Sequence, residues 1–187
     1  MPQSINRREV LKSTLAWAGA AVVTGTSQHA FGFTSANSRP RIAAIGTGSR
    51  WCQKATGIDG PHGSAPSVRH FGDYVALCDA DQAWTELAGE LVKDWTGKQA
   101  DLVKDYRSVI DRDDVDIVHI STPDHWHAKM AIEAMLAGKD VYCEKPMTLT
   151  IPEGRQMTEV CRETGRIVQI GTQQRSAANF IRAIAMI

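Results

Sequence analysis

Glu144-Lys145-Pro146 follows directly on the short apolar stretch Val141-Tyr142-Cys143. A lysine at the mouth of a parallel strand stands where open α/β sheets place their ligands. Burial or a neighbouring positive charge shifts a lysine towards neutrality, and a lysine so shifted can transfer protons. A plain turn would account for the tripeptide alone, with Glu144 and Lys145 solvated and Pro146 ending the strand. Its company argues for more. Gly46-Thr47-Gly48 follows an apolar run and leads, through Ser49 and Arg50, into a predicted helix. Glycine lets a backbone turn sharply and approach a pyrophosphate, whose charge a helix N-terminus favours. Gly46, Gly48, Ser49 and Arg50 are therefore candidate cofactor-binding residues. Trp51 stands where the third glycine of a GxGxxG pattern would be, which predicts a first helix that is tilted or starts later. By itself this turn is also compatible with a simple strand–helix connection.

Asp79 closes the second apolar run, Tyr74-Val75-Ala76-Leu77-Cys78. A carboxylate there can accept both hydroxyls of an adenosine ribose and would repel a 2′-phosphate, which favours NAD over NADP. The long segment Gly57 to Phe71 accounts for its distance from Gly48. Ser121-Thr122-Pro123-Asp124-His125-Trp126-His127 closes a third run, Val115 to Ile120. Two histidines without nearby acidic or cysteine partners make a poor metal site, so no metal is expected. Thr122, Pro123 and His127 instead read as a loop lining a nicotinamide pocket.

The elements that must position these residues alternate. Strands are predicted at Arg41–Ile45, Tyr74–Cys78, Leu102–Val103, Val115–Ile120, Asp140–Cys143 and Arg166–Ile170, the second Asp-closed and the last ending at Gly171. Between them, Trp84, Leu87, Ala88, Leu91, Val92 and Trp95 recur at helical spacing up to Gly97. Further helices are predicted at Tyr106–Ile110, at Ala128–Ala137 and from Pro152 to Cys161, with Gly165 as the stop. Six short strands alternating with helices argue for an α/β fold with a doubly wound parallel sheet.

The chain has 187 residues, enough for one such domain, with Lys plus Arg and Asp plus Glu at 21 each. A net charge of zero argues against a nucleic-acid or anionic-membrane surface. Cys52, Cys78, Cys143 and Cys161 have no CxxC spacing. Cys78 and Cys143 read as buried small hydrophobes. At the N-terminus, Asn6-Arg7-Arg8-Glu9-Val10-Leu11-Lys12 precedes the uncharged run Leu15 to Val23. This resembles a twin-arginine export signal, with Asn6 where Ser or Thr is usual and Val10 where Phe is usual. Residues 1–38 are thus expected to be a signal and linker of an exported, periplasmic protein. The run is short for a stable membrane span.

Taken in order, Gly46-Thr-Gly48, Asp79, Thr122-Pro123 with His127, and Gly138-Lys-Asp-Val-Tyr-Cys-Glu144-Lys145-Pro146 resemble the N-terminal half of the Gfo/Idh/MocA oxidoreductases, the glucose–fructose oxidoreductase and inositol dehydrogenase family. The resemblance implies a Rossmann-type NAD(P)-binding domain over 39–172. It also implies a second α/β domain that closes over a sugar or polyol, largely missing here, with 173–187 as its truncated start. Lys145 matches the family lysine that contacts nicotinamide ribose and substrate hydroxyl, and so is the candidate catalytic residue. Glu144 would orient it, and Pro146 would fix the turn through a cis bond. Gln173 and Arg175 would point into the substrate cleft. Homo-oligomers would form through the second domain. The family also implies a second function, NAD-dependent glycoside cleavage. The stop at Ile187 leaves a third reading, a dinucleotide-binding module without activity.

Overall fold

A computed structural model describes residues 39–52 and 63–187. The proposed export signal and residues 53–62 of the Gly57–Phe71 segment lie outside the described residues. Six strands form one sheet: β1 (Arg41–Ile45), β2 (Asp73–Cys78), β3 (Asp101–Val103), β4 (Ile117–Ile120), β5 (Asp140–Glu144) and β6 (Val168–Gly171). Their spatial order is β3-β2-β1-β4-β5-β6, and every pairing is parallel. The order reverses between β1 and β4, so the crevice of this doubly wound sheet opens at their C-terminal ends.

The helices are α1 (Ser49–Cys52), α2 (Ser64–Val68), α3 (Gln82–Thr96), α4 (Tyr106–Ile110), α5 (Asp124–Leu136), α6 (Ile151–Thr164) and α7 (Ala178–Ile184), with a 3-10 turn at Gln173–Ser176. Alternation along each strand sends side chains to two cores, because successive residues of a strand face opposite sides. Ala43, Ile45, Val118, Ile120, Val141 and Cys143 pack with α4, α5 and α6. Ile42, Ala44, Tyr74 and Leu77 pack with α1, α2 and α3. The buried strand residues are mainly β-branched or small, as a sheet covered on both faces requires.

Several expectations change in detail. The helix after β4 starts at Asp124, before the predicted Ala128, because Pro123 at its N-cap presets the entry and Asp124 sits in its first turn. The helix after β1 starts at Ser49 rather than later. Trp51 is fully buried against Tyr74 (ring centroids 5.3 Å) and Trp95 (6.2 Å), so it acts as a core side chain of the α1–α3 layer. Part of the long Gly57–Phe71 segment is the helix α2, which contributes Ala65 and Val68 to the same core. The stripe on α3 is core as predicted, with Ala88 and Val92 buried and its tryptophans packed around them. Asp81, the ordinary turn aspartate, caps that helix by accepting from the Ala83 N–H (3.0 Å).

Candidate active site

The candidate residues gather at the C-terminal edge of the sheet: Glu144 ends β5, His127 lies in α5, and the others lie in the segments that follow β1, β2, β4, β5 and β6. At β1, Gly46 has φ +83° and donates its N–H to Cys78 O (2.8 Å), tying the turn to the end of β2. A Cβ on Gly46 would stand 2.8 Å from both Ser121 C and Thr122 N, so the chain beyond β4 passes where only glycine leaves room. Gly48 is the other half of the turn. Its Cβ position reaches only the Trp84 ring, at 4.0 Å, so one side remains open.

Asp79 stands where the sequence put it, at the end of β2. Its Oδ2 accepts the Thr47 N–H (2.8 Å) and its Oδ1 accepts the Asp81 N–H (3.0 Å). The carboxylate therefore braces the glycine turn while retaining lone pairs for further donors. Beside it opens a cleft of about 710 Å³ lined by Gly46, Asp79, Tyr106, Arg107, Thr122 and Trp126, among others. That volume suits a small organic ligand. The Thr47 and Thr122 hydroxyls are buried with no hydrogen-bond partner among the described residues. Buried polar groups are normally partnered, so these two orphans mark the turn as built for a polar ligand. A dinucleotide fits this donor set.

At the end of β5, Glu144 is 3 % exposed. Arg50 donates through Nη2 to both Glu144 oxygens (3.0 and 3.1 Å), and the Lys145 N–H donates to Oε2 (3.1 Å). Glu144 thus orients Lys145 through its backbone, and its ionic partner is Arg50. With the Gln173 amide turned so that its oxygen faces the guanidinium, Gln173 accepts from Arg50 (2.7 Å) and donates to Gly171 O. Arg50, Glu144 and Gln173 thus form one cluster that joins the segments after β1 and β6 to the end of β5. Arg175, on the 3-10 turn, is exposed. Lys145 is also exposed, not buried. The Lys145–Pro146 bond is cis, as the resemblance implied.

His127 departs most from its expected place. It is 1 % exposed on α5, with Nδ1 2.6 Å from Pro146 O and Nε2 2.9 Å from Thr122 O. Its nitrogens face two backbone carbonyls, and the ring lies outside the lining of the cleft beside Asp79. Pro123, like Thr122, lines the cleft.

The residues missed in the sequence are polar ones inside apolar runs. His119, in β4, is fully buried, and burial pushes it from 6.5 down to about 3, which keeps the ring neutral. Burial also raises the Tyr74 phenol, which stays protonated and shares a hydrogen bond with His119 Nδ1 (2.7 Å). His119 Nε2 shares a second hydrogen bond with Ser121 (3.1 Å), whose hydroxyl meets that of Ser64 on α2 (3.0 Å). This chain links the Gly57–Phe71 segment to β4 and the loop that follows it. A histidine among Ile117, Val118 and Ile120 was the available signal. Trp126, Tyr106 and Arg107 were missed as cleft residues because nothing in their spacing marks them. The thiols of Cys78 and Cys143 are pushed up to about 12 by burial, which makes them inert small hydrophobes.

Residues 41–172 match the model of an oxidoreductase family with an NAD-binding Rossmann fold. A glycosyl hydrolase family 109 protein of Shewanella baltica is 38% identical over 117 residues, covering 57% of this chain and 26% of that protein. An α-N-acetylgalactosaminidase of Shewanella oneidensis is 37% identical with the same coverage. The chain thus spans about a quarter of the length of the curated relatives it matches. Among solved structures, the myo-inositol 2-dehydrogenase of Lactobacillus plantarum is 28% identical with a TM-score of 0.59, covering 78% of this chain and 40% of that one. The 3-ketoreductase KijD10 of Actinomadura kijaniata, solved with NADP, has a TM-score of 0.65 at 22% identity, covering 79% of this chain and 43% of that one, and is similar in fold.

Proposed function

Because the chain belongs to the Gfo/Idh/MocA oxidoreductase family, we propose that it is the NAD-binding part of an exported enzyme that oxidises a hydroxyl-bearing carbon of a sugar or polyol. The observation that carries this reading is the convergence, at one edge of the sheet, of the Gly46–Gly48 turn, Asp79 and the loop holding Lys145. In that oxidation the carbon gives up hydride, the hydroxyl passes its proton to a base of the completing second domain, and a carbonyl forms. The nicotinamide, when bound, supplies the hydride acceptor.

The chain's own residues hold and polarise. The Lys145 ammonium donates to the substrate oxygen and stabilises negative charge as the proton leaves. Glu144 and Arg50 fix the backbone from which Lys145 extends. Asp79 accepts the adenosine ribose hydroxyls and repels a 2′-phosphate, which favours NAD over NADP. Arg175 and Gln173 border the substrate side. Export rests on Arg7-Arg8 and the run Leu15 to Val23. None of the described helices is long and apolar enough to cross a membrane.

The test has two parts. Calorimetric titration of this chain should give saturable NAD binding and weaker NADP binding. In a protein carrying the second domain, Lys145→Ala should abolish hydride transfer while NAD still binds. Turnover at the wild-type rate in that variant would refute the role of Lys145.

The relatives named as glycosyl hydrolases favour a second reading, in which the hydride is returned within each cycle and a glycosidic bond is cleaved. Release of a chromogenic aglycone without accumulation of NADH would support it, whereas stoichiometric NADH supports a dehydrogenase. NAD binding with no turnover of either kind would leave a dinucleotide-binding module.

A further inference from the structure

We propose that His127 is a positioning residue, a brace that locks the loop after β4 to the loop carrying Lys145 and so holds both walls of the nicotinamide end of the pocket. The proposal rests on the cofactor reading above only for what the pocket holds. Its geometric basis is independent. His127 lies in the first turns of α5, is 1 % exposed, and places one ring nitrogen 2.6 Å from Pro146 O and the other 2.9 Å from Thr122 O.

Both partners are carbonyl oxygens, which only accept, so each contact requires a proton on the nitrogen that makes it. A ring with one proton makes one bond at a time, and a ring with two protons makes both. Thr122 and Pro146 are far apart in sequence, and neither loop carries a hydrogen bond to the other between their own backbones among the described contacts. The imidazole therefore bridges two segments that strand pairing ends just short of, since the β4–β5 ladder stops at Ile120 and Cys143. Lys145 is then held from both sides. Its N–H donates to Glu144, which Arg50 anchors, and the carbonyl of the following residue is fixed by His127. An exposed, long lysine side chain needs such a rooted backbone if its ammonium is to meet a substrate oxygen at a set distance.

Amide substitutions separate the two bonds. Asparagine can place its nitrogen where Nδ1 stands and keep the Pro146 contact, whereas glutamine reaches the Nε2 position and keeps the Thr122 contact. Hydrogen exchange read by mass spectrometry over residues 121–126 and 144–149 should accelerate on the order of tenfold in both segments for His127→Ala. His127→Asn should restore only the second segment, and His127→Gln only the first. NAD affinity in His127→Ala should fall about tenfold, while that of ADP-ribose, which lacks the nicotinamide, should stay within about twofold. Unchanged exchange in both segments would overturn the brace. So would acceleration spread equally over β1 and β2, or equal loss of NAD and ADP-ribose, either of which signifies a general packing role. If the wild-type chain binds neither ligand, the cofactor reading fails, and the exchange pattern alone still decides the brace.

Discussion

The two glycines of Gly46-Thr47-Gly48 should fail in opposite ways. Alanine at Gly46 would be held at φ +83°, a region that costs a side chain roughly 1–2 kcal/mol. Its Cβ would also lie 2.8 Å from two backbone atoms, Ser121 C and Thr122 N. Those atoms cannot give freely, because Ser121 N–H donates to Ile45 O (2.8 Å) and Gly46 N–H donates to Cys78 O (2.8 Å). Relief would sacrifice one of these buried bonds, a further cost of about 1–3 kcal/mol. The sum is about 2–5 kcal/mol, or about 4–20 °C in Tm for a chain of this size. At Gly48 the same methyl meets only the Trp84 ring at 4.0 Å, ordinary contact, so stability should change by less than about 0.5 kcal/mol. The methyl would instead occupy the open side where a pyrophosphate must approach, and NAD affinity should drop by about tenfold or more. Differential scanning fluorimetry and calorimetric NAD titration on both variants form the assay. A Gly46→Ala protein melting within about 2 °C of wild type would refute the steric argument. Undiminished NAD binding by Gly48→Ala would refute the placement of the pyrophosphate.

Three further outcomes are expected. Asp79→Asn keeps the size of the side chain but removes the charge that would repel a 2′-phosphate, so the NAD-to-NADP affinity ratio should fall about tenfold in parallel titrations. Glu144→Gln leaves Arg50 without its ionic partner; because that guanidinium is 38% exposed, the loss should be about 1–2 kcal/mol, read as a lower urea midpoint. His119 should make the fold acid-sensitive: its folded value of about 3 lies below its ordinary 6.5, so between these pH values the unfolded chain binds a proton that the native chain refuses. Stability is then complete above about pH 6.5 and declines as pH falls towards 3, by up to about 1.4 kcal/mol per pH unit, and His119→Gln should narrow the gap between urea midpoints at pH 7 and pH 5.

What the sequence made legible followed from local rules. Strand β1 is an apolar run meeting a glycine, α3 is a stripe at helical spacing stopped by Gly97, and α6 is opened by Pro152 and stopped by Gly165. Each is decided within its own segment, so its reading survives tertiary context. Asp79 and Lys145 were legible as candidate site residues because a parallel sheet delivers every strand end to one edge, whatever the packing beneath. The partnerships were not legible. Arg50 and Glu144 are 94 residues apart, and only the adjacency of the β1 and β5 loops makes one the counter-ion of the other. Trp51 was read as an obstacle to close packing because GxGxxG expects a glycine there, whereas the space beneath α1 is filled by the indole itself against Tyr74 and Trp95.

His119 and His127 show why residue type alone misassigns such positions. Each lies next to a candidate site segment, and each is an imidazole that a sequence offers equally as ligand, base or structural link. Burial decides between these roles only together with the partners it brings. His119 faces a phenol and a serine that satisfy a neutral ring, and so closes a hydrogen-bonded chain within the core. His127 faces two carbonyls from different loops, an arrangement that leaves no nitrogen for a cofactor or a metal and makes the ring a tie between them. In the proposed chemistry Lys145 supplies the charge, while Arg50, Glu144 and His127 fix the backbone from which it extends.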